Sequence, residues 1–366
     1  MKSLWWTQIL AVMRLEIKKT FFARRGLWIY LLALAPVALF TIQAVVTRSF
    51  HLTQPEPSST GRLLTGEQLD SSIHDKMTRD EIIAALGEPA KSRTRRVRKF
   101  DDDGKEIRVQ EETLQYYGTD RSVTLILADG VLVGQISNAR LSLGQNTYVF
   151  AGVFQFFFIR LAVFFGCLGI FMNLFRGEML DKSLHYYLLS PIRREVLLAG
   201  KYLAGLLAAT VIFTTSTALQ LIANLSSFSG AIVSRYLYQE NGLSHIFAYL
   251  GVTALACVGY GSVFLAAGLL IRNPIIAAAI VLIWEDVNPL LPALLKKFSV
   301  IYYLKSLCPV QVPVDPGMPQ LLRLLISNGD PISAYLAVFG VLALAAFVLW
   351  ASSLKVRTLE INYTTE

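Results

Sequence analysis

The sequence predicts a membrane all-α fold of six transmembrane helices, both termini cytoplasmic, with an α+β extracytoplasmic domain inserted between helices 1 and 2. Three observations predict it. Of 366 residues, 54% are hydrophobic and only 16% charged, against about 25% charged in an ordinary soluble domain. Six apolar runs approach or exceed the roughly 20 residues needed to cross a bilayer. One polar stretch, 48–147, holds 14 Lys/Arg and 15 Asp/Glu. Together these exclude a disordered chain, a nucleic-acid-binding tail and an ordinary soluble enzyme.

The apolar runs are Leu27–Thr47, Tyr148–Phe175, Tyr202–Leu225, Ile246–Ile271, Pro274–Leu295 and Ala334–Leu354. Residues 1–26 carry six Lys/Arg ahead of a run long enough to span, so they read as a retained anchor rather than a signal peptide. Within them, Trp5, Trp6, Ile9, Leu10, Val12, Met13 and Ile17 alternate with Arg14, Lys18 and Lys19. This is the pattern of an amphipathic helix lying in the interface; a plain extension of helix 1 is the other reading. With the N-terminus inside, segments 1–26, 176–201, 272–273 and the tail 355–366 hold 14 Lys/Arg, whereas outer loops 226–245 and 296–333 hold one and four. The positive-inside rule favours that orientation. Lys296, Lys297 and Lys305 stand on the wrong side of it, which suggests that 296–333 dips back toward the membrane as re-entrant segments. The +8 net charge then lies mainly beside anionic lipid, not nucleic acid.

The polar insert reads as a folded domain without disulfides, since Cys167, Cys257 and Cys308 all lie outside it and no Cys-x-x-Cys occurs. Thr78-x-x-Glu81 is a capping box. Ile82, Ile83, Ala85 and Leu86 give a short apolar face, Gly87 suits a left-handed stop and Pro89 ends the helix. Two hairpins follow: Lys91–Phe100 with Lys105–Leu114 around Asp103-Gly104, and Ser122–Ala128 with Val131–Ser137 around Asp129-Gly130. The first sets a basic strand against an acidic one, a mutually neutralising face. Met77-Thr78-x-x-Glu81-Ile82-x-x-x-Leu86-Gly87-x-Pro89, Tyr116-Tyr117-Gly118 and Asp129-Gly130-x-Leu132 resemble the SmpA/OmlA-type lipoprotein domain of outer-membrane assembly over 66–137. The family usually shows Gly before Met-Thr, where this chain has Lys76. The resemblance implies two short helices on a small antiparallel sheet, facing the periplasm.

The loop between runs two and three, 176–201, reads as a short helix, a Ser190-Pro191 break and an amphipathic helix entering run three. Leu184, Leu188 and Leu189 form an apolar docking face, and Arg193 and Arg194 sit at the lipid face. Glu178 just after run two, Leu188-Leu189-Ser190-Pro191, Arg193 and Gly200-Lys201 resemble the permease of an ABC-2 type exporter, with Lys182-Ser183 where that family usually has Gly-Thr. The resemblance implies that Glu178, Leu188, Leu189, Ser190, Pro191, Arg193, Arg194 and Lys201 form the ATPase-coupling loop. It also implies a separate ABC ATPase subunit as partner, a second permease chain (homo- or heterodimer) and a bacterial inner membrane. No cofactor is expected on this chain, with ATP and Mg held by the partner: Glu195 stands where the first glycine of a phosphate-binding loop ending Gly200-Lys201 would be needed, and Tyr202 follows.

Inside the membrane, Arg160, Glu285 and Asp286 are costly. Arg160 lies about 22 Å above Phe175 and Glu285 about 16 Å above Pro274 at 1.5 Å per residue, so Arg160 is expected to pair with Glu285 or Asp286. Snorkelling by Arg160, or a fifth helix ending near Trp284, is the alternative. Four histidines (His51, His74, His185, His245) form no metal or protease motif, so no catalytic residue and no metal site are expected. The competing functional class is an envelope assembly scaffold acting on an envelope partner through its periplasmic domain.

Overall fold

The computed structural model describes residues 2–22, 26–49, 72–74, 76–100, 106–117, 121–139, 142–180, 193–271, 273–312 and 332–357. The chain divides into two compact units: Met1–Thr41 with Tyr148–Ala223 and Asn241–Glu366, and Ile42–Thr147 with Asn224–Glu240.

The first unit is helical. Its elements are α1 (Lys2–Phe22), most of α2 (Leu27–Ser49), a helix running from α4 (Leu143–Gly152) through a π-helical stretch (Val153–Val163) into α5 (Phe164–Leu180), α6 (Arg194–Leu225), α8 (Gly242–Leu270), α9 (Pro274–Val287), the short α10 (Ala293–Lys296), α11 (Val300–Leu307) and α12 (Ala334–Arg357). Among the described residues five helices are long and apolar enough to cross a membrane: Leu27–Ser49, Leu143–Phe175, Arg194–Leu225, Gly242–Leu270 and Ala334–Arg357. The fifth run, expected as one helix over 274–295, is not continuous. Asn273 caps it by accepting from the Ile275 N–H at 3.0 Å, with Pro274 at the first helical position. It stops at Val287 because Pro289 and Pro292 follow, each lacking an N–H and clashing with the preceding turn. A 3-10 turn (Asn288–Leu290) and α10 then carry the chain into α11.

Aromatic rings make the centre of this core. Phe150, Phe154 and Phe158 stack along one face of the π-helical region. They meet Phe40, Tyr249 and Phe213 at ring centroids of 4.7–6.1 Å. Further along, Phe164 meets Tyr260 and Phe264 edge-on, the geometry that ring quadrupoles favour.

Small residues let α5, α6 and α8 close on one another. A Cβ added to Gly261 would come 2.5 Å from the Phe171 ring, and one added to Gly205 would come 2.9 Å from it. Gly268 lies against Met172 backbone, its added Cβ 3.2 Å from Cα. We expect Gly261→Leu to lower the melting temperature of the purified protein, overpacking costing about 1–3 kcal/mol. Phe171→Ala in the same chain should restore part of the loss. An unchanged melt for the single variant would contradict this packing.

The second unit holds α3 (Arg79–Leu86), a four-stranded antiparallel meander in the order β1 (Lys91–Phe100), β2 (Glu106–Tyr117), β3 (Arg121–Ala128) and β4 (Val131–Ala139), and α7 (Gly230–Gln239). The capping box forms: the Thr78 N–H donates to Glu81 Oε2 at 2.9 Å. Gly87 takes φ +85 and its N–H returns to the Ile83 carbonyl at 2.8 Å. Asp129 and Gly130 both take positive φ, as a tight hairpin turn demands. Ile82, Leu86, Leu114, Val123, Leu125, Leu127 and Leu132 close a small core between α3 and the sheet. The expected charge-matched hairpin is looser than the composition suggests. Arg95 does stand opposite Glu111, but Arg98 is opposite Arg108 in the register, and Glu112 accepts from Arg79 and, across the strand pair, from Ser92 rather than from a basic residue of β1. A single described helix packs on the sheet. The Asp103-Gly104 turn and residues 50–71 lie outside the described residues.

Candidate functional site

Two constructions built on buried charges stand out in the helical unit. The first lies where α6 begins. Lys201 is fully buried, and its ammonium donates to Glu16 Oε1 at 2.7 Å and to the Leu174 carbonyl at 2.9 Å, with the Phe175 ring 5.4 Å away. Glu16 is itself buried at 3% exposure. One lysine therefore ties α1, the end of α5 and the start of α6 together. The contact is close because residue 200 is glycine: an added Cβ would meet Val12 at 2.9 Å and the Ile9 carbonyl at 3.3 Å.

The neighbouring charges of the same region are also engaged. The Arg193 guanidinium lies 4.9 Å above the Trp5 ring, within cation–π range. Arg194 donates to the carbonyls of Arg357 (2.8 Å) and Val356 (3.4 Å), where cationic side chains complement a helix C-terminus. Glu195 forms an ion pair with Arg357. Arg193 and Arg194 thus hold α1 and α12 rather than facing lipid alone. Of the other residues expected in the coupling loop, Glu178 ends α5 with its side chain outside the described set, and Leu188, Leu189, Ser190 and Pro191 lie outside the described residues. Glu16 and Arg357 were not singled out from sequence, and Trp5 was read only as part of the interfacial face of α1. In a basic amphipathic segment Glu16 is the lone acid, the one local sign of its role.

The second construction joins α9 to α11. The buried Glu285 carboxylate accepts three hydrogen bonds, from Ser299 Oγ (2.9 Å), the Val300 N–H (3.0 Å) and the Ile301 N–H (2.8 Å). These are first-turn donors that a helix leaves unsatisfied, and an anion suits that end of the dipole. Trp284 Nε1 donates to the Phe298 carbonyl (3.3 Å) and Asn288 Nδ2 to the Lys296 carbonyl (3.0 Å). Three side chains of one helix end therefore hold the returning backbone of 296–301. On the far side of α11, Gln155 of the π-helical stretch donates to the Val310 carbonyl at 2.9 Å.

Arg160 sits on that same π-helical stretch, a local winding that recurs at functional sites. Its Nη1 is 2.9 Å from Asp286 Oδ1. Its Nε and Nη2 are buried without a hydrogen-bond partner among the described residues. Glu285 and Asp286 are thus divided in use: the first caps α11, the second receives Arg160. Among the described residues no group of His, Cys, Asp and Glu could hold a metal, and the three cysteines are buried and free.

Both constructions are joints: each uses a buried charge to fix the angle between helices at the end of an apolar span. No curated protein and no solved structure matches the chain. The ABC-2 family transporter protein family matches residues 10–284, a stretch that contains α1 from Leu10 onward, the Glu16–Lys201 joint and Arg160. By that match and its apolar spans, the chain belongs to the ABC-2 transporter family and is a multi-pass membrane permease component of an ABC transporter.

Proposed function

We propose that the chain is the permease subunit of an exporter in a bacterial inner membrane, driven by ATP hydrolysed on a separate subunit that docks at the 176–201 loop. Family membership implies an ABC ATPase partner in general. The observation that carries the rest is the Lys201 joint. Motion delivered to the loop between α5 and α6 enters a point where α1, α5 and α6 are held by one buried ammonium, so it becomes helix tilt rather than local bending. The same geometry keeps this lysine from a nucleotide, since its amine is fully buried and occupied.

In this reading α9 and the segment after it make a sixth, broken crossing. Fourteen residues give α9 a length of roughly 21 Å, and 288–296 complete the path toward the far interface. Six crossings return the C-terminus to the cytoplasm, where the Lys/Arg bias puts it. The sheet domain then faces the periplasm as an SmpA/OmlA-like module that hands substrate to an envelope partner. Two permease chains and two ATPases form the working complex, and ATP-driven closure alternates access between the permeases. Coupling is tested in the assembled complex in vesicles. Glu178→Gln and Arg193→Ala should each leave ATP hydrolysis in place while net transport falls at least tenfold. Unchanged transport in both would remove the loop from the coupling path. A scaffold acting through its periplasmic domain alone would instead keep its function when the spans are replaced by a single anchor.

A further inference from the structure

Lys296, Lys297 and Lys305 oppose the positive-inside distribution, and nothing in the coupling account uses them. Lys297 lines an apolar groove of about 680 Å³ between α11 and α12. Tyr303 forms one wall, and Leu336, Phe339, Ala343 and Phe347 form the other. From Leu336 to Phe347 the groove runs roughly 16 Å along the helix axis, about the hydrocarbon depth of one leaflet (about 15 Å). A second apolar groove, of about 450 Å³, lies along α9 and is lined by Ile280, Ile283, Trp284, Val287 and Leu291. The two grooves share a single residue, Phe298, which is 59% exposed.

Lys297 is exposed, and no acceptor faces its ammonium among the described residues. The backbone of Phe298 next to it is held, because its carbonyl receives Trp284 Nε1 and the following residues are bound by Glu285. The arrangement is therefore one exposed cation beside an aromatic residue that lines both apolar grooves. An exposed cation at the edge of an apolar, membrane-facing surface calls for an anionic group, and two apolar grooves that meet at Phe298 call for two hydrocarbon chains.

We propose that this surface is a binding site for a two-chain lipid with an anionic phosphate headgroup, the phosphate on Lys297 and one acyl chain on each side of Phe298. The site needs neither the ATPase nor transport, so it stands or falls apart from the coupling account. It gives the out-of-place lysine of the 296–333 segment a counter-charge in the leaflet where the positive-inside rule leaves it exposed.

Native mass spectrometry of the purified full chain tests it, with phosphatidylglycerol and phosphatidylcholine of identical chains as probes. Retention of phosphatidylglycerol is expected to exceed that of phosphatidylcholine about fivefold, the effect of one surface cation. Lys297→Gln should bring the two to parity. Lyso-phosphatidylglycerol, with one chain, should be retained less than the two-chain lipid. Ala343→Phe, an exposed position on α12 where the larger side chain fills the groove, should reduce phosphatidylglycerol retention with an unchanged melt. It also serves where Lys297→Gln fails to fold. Equal retention of the two lipids by the unaltered chain would overturn the proposal, as would undiminished selectivity in Lys297→Gln. So would an Ala343→Phe variant that changes the monomer–dimer ratio but keeps its lipid, which would make the groove a contact between copies.

Discussion

Replacing Lys201 by Met in the full chain should lower its stability by about 3–5 kcal/mol, because it strips the ammonium from a carboxylate that the fold keeps buried. Glu16→Gln should cost less, since the lysine keeps the Leu174 carbonyl and the face of Phe175. The double variant Glu16→Met with Lys201→Met should recover most of the loss, because apolar replacement of an entire buried pair is often close to neutral. Thermal unfolding of the detergent-purified protein reads all three. Stability alone does not describe the joint, however. If the ammonium also sets the angle at which α1, α5 and α6 meet, the double variant should fold well yet transmit poorly. Its complex would hydrolyse ATP with little transport. A double variant that folds and transports normally would reduce the joint to packing.

The second large effect belongs to the α9–α11 hairpin and its arginine. Asp286→Ala should destabilise more than Arg160→Met, because the arginine side chain is 13% exposed and the aspartate 39%. Loss of the aspartate takes away the ion-pair acceptor of a guanidinium whose Nε and Nη2 already have no hydrogen-bond partner among the described residues, at a cost of about 3–5 kcal/mol. Exchange of the two charges, Arg160→Asp with Asp286→Arg, should recover part of the folded yield. Exchange of Arg160 with Glu285 should not, since Glu285 is committed to Ser299 and to the first N–H groups of α11. Removing that carboxylate in Glu285→Ala frees three donors at once, and each hydrogen bond to a charged group is worth about 1.5–3 kcal/mol. Protease sensitivity in the 296–312 region should rise in this variant and not in Arg160→Met. Equal sensitivity in both would contradict the division of labour between the two acids.

Much of this architecture is legible in the residues, and the reason is locality. The long apolar runs, the Thr78–Glu81 capping box, the Gly87 stop and the Asp129-Gly130 turn depend on neighbours a few positions away, so the sequence carries them directly. The fifth run misleads because mean hydropathy is blind to what Pro289 and Pro292 do to a helix. Periodicity sees the lipid preference of 274–295 but not the missing N–H groups. Glu285 is legible as an expensive intramembrane acid; its use as a cap depends on a chain reversal that brings residue 300 back against residue 285. Glu16 is harder still. Its partner is 185 positions away, and on a helix expected to lie in the interface a single acid looks like ordinary solvated charge. Arg193 and Arg194 show the same limit. Their positive charge is evident, but that one lies over Trp5 and the other caps α12 follows only from the packing of helices distant in sequence.

The most direct test of the central claim is purification of the full chain from its native membrane, followed by assay of the captured material and of the isolated chain for ATP binding and hydrolysis. The account predicts that an ABC ATPase subunit is recovered with the chain, that the complex hydrolyses ATP, and that the chain stripped of that subunit neither binds nor hydrolyses nucleotide. Nucleotide bound or hydrolysed by the chain alone would contradict it.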